Sequence, residues 1–228
     1  MRHPEEARAQ RLRVRFARGK ELAFISHLDL MRFWERALRR AGLPLAYSQG
    51  FTPHPRLSLA APLALGVTSE AELMDVYLTR WVSPHNFLHS LRQQLPPGIQ
   101  LLEANTIPPT VPSLQSQVRF AEYHVVAERK GSPEDVPAAL SKLLAARTFM
   151  WQHARDTGVR SYDLRALVSD LWLVNCEDNE AVLGMRLRCD PGGAGRPEQV
   201  LSALGFPGLP RSIHRTRLIL EAPRGQKR

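Results

Sequence analysis

Residues 25–56 read I-S-H-L-D-L-M-R-F-W-E-R-A-L-R-R-A-G-L-P-L-A-Y-S-Q-G-F-T-P-H-P-R, and they predict a capped amphipathic helix running into a stiff polar loop. Ser26 suits the N-cap, and Asp29 three residues on complements the positive end of the helix dipole. On a helical projection His27, Leu30, Met31, Trp34, Ala37, Leu38 and Ala41 share one side. Arg32, Arg36, Arg39 and Arg40 fall in an arc of about 100° on the other. Gly42 is placed just past the helix end, where a left-handed residue is wanted. In the loop, Pro53 and Pro55 restrict the backbone and bias Thr52 and His54 toward extended geometry. Gly50 permits a turn, and Phe51 is available to anchor the loop or to stack on a base.

Working outward, Leu12, Val14 and Phe16 alternate with Arg11, Arg13 and Arg15, a half-buried strand with a basic outer face. Arg18-Gly19-Lys20 reads as a turn and Leu22–Ile25 as a short return strand. Beyond the loop comes an extended apolar run, Leu57–Val67, broken at Pro62. Ala71–Arg80 alternates again as a strand. Ser83 and Pro84 open a second helix reaching about Leu95, Pro96-Pro97-Gly98 stop it, and Ile99–Ile107 is strand-like. The order β-α-β-β-α-β is the ferredoxin-like pattern.

Residues 108–117 are a linker by composition. A second unit over 118–222 opens with a strand at Val118–Glu128 and a helix from Ser132 and Pro133 to about Ala146. Met150–Ala154 and Leu171–Val174 are extended, the latter pairing with Ala181–Arg188. A short helix from Pro197 and a closing strand at Ile213–Glu221 follow. The expected fold class is α+β, two ferredoxin-like units in tandem (11–107 and 118–222), flanked by a flexible start at 1–10 and a basic tail at 223–228.

With 228 residues, 43% of them hydrophobic and 23% charged, the composition is that of a globular protein rather than a disordered one. The formal net charge is +9, which favours nucleic acid or anionic surfaces as partners. Arg11–Arg40 alone holds nine basic and three acidic residues, a local +6. No apolar run approaches the roughly 18–20 residues of a membrane span, and no apolar leader follows the polar start, so a cytoplasmic location is expected. Cys176 and Cys189 are too few for an iron–sulfur cluster. They are expected as buried thiols, with cross-strand disulfide pairing left open.

The arginine stripe suits bidentate phosphate contacts without base contacts, or a solvated face partly neutralised by Glu35. His54 has the chemistry of a general acid or base near neutral pH, and Arg56 that of a phosphate or carboxylate clamp. A rigid loop plugging a sheet edge explains the two prolines equally well. Ser26-His27-x-Asp29 holds the letters of a hydrolase triad, but Ser26 is better used as a cap and His27 sits with the apolar face. His85 and His89 have the spacing of a metal pair without a third ligand, so no metal is assigned. Pro191–Arg196 is glycine-rich but lacks the Gly-Lys-Ser/Thr ending of a phosphate loop. Arg186 with Arg188, and Arg215 with Arg217, extend a basic surface or are simply solvated strand faces. No catalytic residue and no cofactor are assigned.

The run F-I-S-H-L-D-L-M-R-F-W-E-R-A-L-R-R-A-G-L-P-L-A-Y-S-Q-G-F-T-P-H-P-R, followed by P-L-A-L-G-V-T-S-E-A-E, resembles the radical SAM-linked protein family, a bacterial domain of unknown function. The likeness covers about Arg11–Ile107; S-Y-D-L-R and R-T-R-L fit it further along. The resemblance implies a module found as a separate chain or fused behind a cobalamin-binding radical SAM protein. A free-standing copy would be an accessory or substrate-presenting partner, with the cluster chemistry residing elsewhere. Taken with the charge pattern, the expectation is a non-catalytic RNA-binding module, its RNA a tRNA or rRNA. In it Arg32, Arg36, Arg39, Arg40 and Arg56 meet phosphate while Phe51 and His54 line the substrate side. Two alternatives stand beside it: a protein-interaction module that docks the radical SAM partner through the loop and Leu57–Val67, and a metal-free RNA-processing enzyme using His54.

Overall fold

Leu12, Val14 and Phe16 are all fully buried, and the strand that carries them, β1 (Gln10–Arg18), is the centre of the first unit. The structure is a computed structural model describing residues 10–129, 131–155, 158–177 and 179–221. The expected flexible start, apart from Gln10, and the basic tail lie outside the described residues. The chain is an α+β protein that divides into two compact units after Val118.

In the first unit the order is β1, α1 (His27–Arg40), β2 (Leu57–Leu59), β3 (Thr68–Leu78), α2 (Pro84–Arg92), β4 (Ile99–Thr106) and α3 (Leu114–Gln117). The strands lie in the order β4-β1-β3-β2 with every pairing antiparallel. Side chains alternate across a strand, so the even-numbered residues of β1 face one way. On that face Leu12, Val14 and Phe16 join Trp34, Leu38, Phe87 and Leu91 of the two long helices in one core. Phe16 meets the Trp34 indole edge-on at 4.8 Å.

Local signals set the helix ends. Ser26 Oγ accepts from the Asp29 N–H at 3.1 Å, and Gly42 takes φ 66° just past the end of α1, a conformation costly for a residue with a Cβ. Ser83 caps α2 in the same way, accepting from Asn86 N–H at 3.2 Å.

Four expectations need correction here. Leu22–Ile25 is no return strand: a single 3₁₀ turn, Lys20–Leu22, leads into α1, because the β1 edges are already taken by β3 and β4. Only Leu57–Leu59 of the apolar run forms a strand; the rest is irregular chain in which Ala60, Ala61, Leu63 and Val67 are buried and Pro62, Ala64 and Leu65 are exposed. His27 is exposed rather than on the apolar side, since the first helical residue projects ahead of the core. Residues 108–117, a linker by composition, contain α3 with Leu114 fully buried, and their carbonyls at Val111 and Pro112 accept from Arg11.

The second unit runs β5 (Val118–Glu128), α4 (Asp135–Ala145), β6 (Met150–Arg155), β7 (Gly158–Asp163), β8 (Val168–Glu177), β9 (Glu180–Asp190), β10 (Gly193–Ala194), α5 (Pro197–Ala203) and β11 (Ser212–Leu220). The path is β10-β9-β5-β11, with β8 also on β9, while β6 and β7 form a separate hairpin. Ala121, Tyr123, Val125 and Ala127 lie directly opposite Leu187, Met185, Leu183 and Ala181, and all eight are buried. The register sets Cys176 opposite Ala181 and Cys189 opposite Ala194, so the thiols do not face each other. No disulfide joins them, and both are half-exposed rather than buried.

The S-Y-D-L-R segment is a structural clasp. Asp163 Oδ1 accepts from the N–H groups of Phe149 at 2.8 Å and Arg165 at 3.0 Å. The Arg165 guanidinium donates to Leu144 O through Nε at 3.1 Å and Nη2 at 2.9 Å, and to Val168 O at 2.6 Å. Leu144 lies in the last turn of α4, where helix carbonyls lack internal partners. Arg165→Met is therefore expected to cost about 1.5–3 kcal/mol of stability, the range of hydrogen bonds to a charged group. Arg165→Lys should recover less than half of that in urea unfolding, because an ammonium cannot reproduce the fork.

Candidate nucleic-acid interface

The loop after α1 is built as a narrow hairpin. Ser48 N–H donates to His54 O at 2.8 Å, and Arg56 N–H donates to Ala46 O at 2.7 Å. Ser48 Oγ accepts from His54 N–H at 3.0 Å, and Tyr47 bridges to Pro55. The base of the hairpin is tied to β3, where Ala46 N–H meets Tyr77 O at 2.9 Å and Tyr77 N–H meets Arg56 O at 3.1 Å. At the tip Gly50 takes φ 130°, reachable without strain only by glycine, and next to it the Phe51 ring is wholly exposed. A large apolar ring held out on a stiff hairpin gains nothing in the folded chain by itself.

The hairpin leans on the outer face of α1. His54 Nδ1 is 3.5 Å from Glu35 Oε1, and the Arg39 guanidinium lies over the Tyr47 ring at 5.9 Å. The arginines of the stripe are not equivalent. Arg32 pairs with Asp29 at 3.3 Å, both well exposed, and Arg40 is held by the side chain and carbonyl of Gln94. Arg36 is exposed and has no ion-pair or hydrogen-bond partner among the described residues. Arg36 and Arg39 are thus the cations of the stripe most available to an outside anion, Arg39 lying against the Tyr47 ring. Glu35 and Tyr47 were not among the expected site residues; Arg39 and Tyr47, eight positions apart across the end of α1, follow no local period that would have flagged the pair.

Arg56 does not belong to this surface. β3 pairs Tyr77 with Arg11 and Asp75 with Arg13, which puts these four on the face of the sheet away from α1. The Arg56 guanidinium lies over the Tyr77 ring at 5.5 Å and so is on that opposite face. The sheet separates it from Arg32, Arg36, Arg39 and Arg40.

Nor do Arg11 and Arg13 form a solvated basic face. Arg11 Nε donates to Asp75 Oδ2 at 2.8 Å and Arg13 Nε to Asp75 Oδ1 at 2.8 Å; Asp75 is completely buried and Arg11 nearly so. Arg18 is buried, its Nη2 donating to the carbonyls of Ala64 and Val67. Arg15 pairs with Glu103 at 3.5 Å. Much of the local +6 is therefore spent inside the first unit.

The second unit uses its arginines similarly. Arg186 pairs with Glu122 at 2.7 Å, and Arg215 is buried against the Tyr123 ring. Arg188 donates to Asp190 at 2.7 Å; this hydrogen bond holds the Asp190 carboxyl below its ordinary 3.8 and raises Arg188. His85 and His89 are exposed, their rings parallel at 6.5 Å. No group of three or more metal-ligating side chains occurs among the described residues, and no helix there is long and apolar enough to cross a membrane.

Residues 11–197 match the bacterial family described as uncharacterized protein conserved in bacteria (DUF2344), and the chain belongs to that family. No curated protein matches it. Among solved structures it is similar to a chain in a crystal structure of a Cbf5-Nop10-Gar1 complex, with 11% identity and a TM-score of 0.53 over 95% of this chain. It is likewise similar to a chain in the structure of an H/ACA RNP bound to a substrate RNA containing 2′-deoxyuridine, with 10% identity and a TM-score of 0.50 over 95% of this chain. The chain accounts for 51% and 50% of those two chains. At such identities the likeness is one of fold.

Proposed function

We propose that this member of the DUF2344 family is a non-catalytic accessory module that binds single-stranded RNA, of a tRNA or rRNA, on the outer face of α1 and the Gly50–His54 hairpin tip. The observation that carries this is the wholly exposed Phe51 ring at the tip of the hairpin whose Tyr47 lies against Arg39 of α1. Cations and stacking rings on one rigid surface are what a sequence-tolerant single-strand site needs. In this reading Arg36 and Arg39 bind phosphate, with Arg32 and Arg40 recruited by exchanging their internal partners. Phe51 stacks on a base and His54 lines the same side. The fold likeness to a chain solved in an H/ACA RNP bound to a substrate RNA supports the reading. So do the strand orders β4-β1-β3-β2 and β8-β9-β5-β11, which favour two tandem ferredoxin-like units, the second with the β6–β7 hairpin inserted. The radical SAM partner rests on the resemblance of the 11–107 run.

Fluorescence anisotropy with a labelled single-stranded RNA between about 50 and 200 mM salt tests this. Each phosphate contact adds about −0.7 to the slope of log affinity against log salt, so Arg36→Ala/Arg39→Ala should flatten the slope by about 1.4. Phe51→Ala should weaken binding by about five-fold or more at every salt concentration. An affinity indifferent to salt would sink the phosphate assignment.

One observation favours a second reading, docking of a protein partner. Phe24, Leu28 and Leu65 are 80%, 66% and 63% exposed. Gly66 N–H donates to Ala23 O at 2.9 Å, which brings Leu65 and Phe24 together. Loss of enzyme co-purification in Phe24→Ser/Leu65→Ser, with RNA binding unchanged, would favour it. The enzymatic alternative needs RNA cleavage that disappears in His54→Ala while binding persists.

A further inference from the structure

The face of the first unit's sheet away from α1 carries a second concentration of charge. Arg11 and Arg13 share a single carboxylate, Asp75, in a setting where Arg11 is 7% exposed and Asp75 not at all. The remaining guanidinium bonds go to neutral oxygens: Arg11 to Val111 O at 2.7 Å and Pro112 O at 2.8 Å, Arg13 to Gln117 Oε1 at 3.3 Å. These oxygens satisfy hydrogen bonds but bring no charge, so two cations and one anion leave a net +1. Arg56 adds to it. Its guanidinium and that of Arg11 both lie against the Tyr77 ring, at 5.5 and 5.8 Å, and Arg56 has no carboxylate partner among the described residues. Three guanidiniums thus surround one ring and one carboxylate. Withdrawing an unbalanced charge from water is expensive, and an anion close by offsets the cost.

Beside this cluster is a cavity of about 410 Å³ lined by Arg11, Tyr77, Gln10, Thr106, Pro108 and Val111, among others. Its size falls in the range of small-molecule sites, and its lining has their character: apolar walls, here prolines and aliphatic side chains, with a few polar groups to orient a ligand. All of it belongs to the first unit.

We infer that this cavity binds a small organic anion carrying one phosphate or carboxylate group. The charged group sits toward Arg11, where the net positive charge lies, and the apolar body lies on the Pro108–Val111 wall. Arg56, outside the lining but against the same ring, contributes long-range attraction. The inference does not rest on RNA binding, because the sheet separates the cavity from the outer face of α1.

The test uses the full chain, ¹⁵N-labelled, titrated with phenyl phosphate, with benzoate and with neutral benzyl alcohol. Either anion is expected to shift the Arg11 Nε–H signal and the backbone amides of 107, 110 and 111 with a Kd of about 1 mM or tighter, while benzyl alcohol gives at least about tenfold weaker binding. Which anion binds more tightly identifies the charged group. Arg56→Gln leaves the Arg11–Asp75 pair intact and should weaken the anion several-fold; Pro109→Trp, at an exposed position of the lining, should obstruct it at least about tenfold. The inference is overturned if neither anion shifts these signals at about 10 mM, if benzyl alcohol binds as tightly, or if both variants bind as the parent does.

Discussion

Replacing Asp75 with alanine is expected to lower the unfolding free energy by about 3–5 kcal/mol, a large part of the about 5–15 kcal/mol typical of a natural domain. The carboxylate is fully buried and accepts from both Arg11 and Arg13. Without it two guanidiniums stay on the sheet face with only neutral oxygens to meet them. The cost is that of an uncompensated buried charge, not the sum of the lost hydrogen bonds. That origin makes a distinguishing prediction. Arg11→Met/Arg13→Leu/Asp75→Leu removes all three charges and should recover more than half of the loss, since buried ion clusters exchange for apolar groups at little net cost. Guanidinium chloride unfolding of both variants measures the difference. A triple variant no more stable than Asp75→Ala would mean the position is sensitive for its shape rather than its charge.

The second large effect is expected at Gly184. Trp172 of β8 lies directly opposite it, and a Cβ on residue 184 would come within 1.9 Å of Trp172 Cε2 and 2.1 Å of Nε1. No small adjustment absorbs an overlap of that size, so the indole must leave its place across β9. Gly184→Ala should cost about 3 kcal/mol, at the upper end of overpacking changes. In a Trp172→Leu background the same substitution should cost less than about 1 kcal/mol. The double-mutant cycle isolates the contact because the two side chains touch. Equal costs in the two backgrounds would show that strand propensity, not the indole, makes glycine necessary.

Both predictions rest on contacts that a reading of the residues in order does not reveal. The legible parts were those whose physics is local. The Ser26 cap, the Trp34 side of α1, the Gly42 stop and the alternation of Leu12, Val14 and Phe16 each depend on residues within a few positions of one another. They therefore appear in the sequence as spacing. The glycine and two prolines of the loop likewise announced a stiff turn, and the structure adds that Phe51 is carried at its tip.

The candidate site was legible in composition but not in arrangement. Arg11, Arg13 and Arg36 look alike as letters, yet two are paired with buried Asp75, Arg11 itself buried and Arg13 nearly so, and one faces solvent. Asp75 lies more than sixty positions from its partners, and only the antiparallel register of β1 with β3 brings them together. Arg56 stands only two residues from His54, yet His54 lies beside Glu35 of α1 and Arg56 over Tyr77 on the other face of the sheet, a separation that strand alternation, which puts residues two apart on one face, would not have predicted.

The amino-acid order by itself determined the four longer helices, the apolar faces of the main strands, the stiff loop and the excess of positive charge, since each follows from periodicity and from the backbone freedom of single residues. Which arginines are spent inside the fold and which face outward was decided only by the tertiary structure. The reason is physical: a guanidinium's charge is available only if no carboxylate reaches it, and strand register determines which carboxylates can.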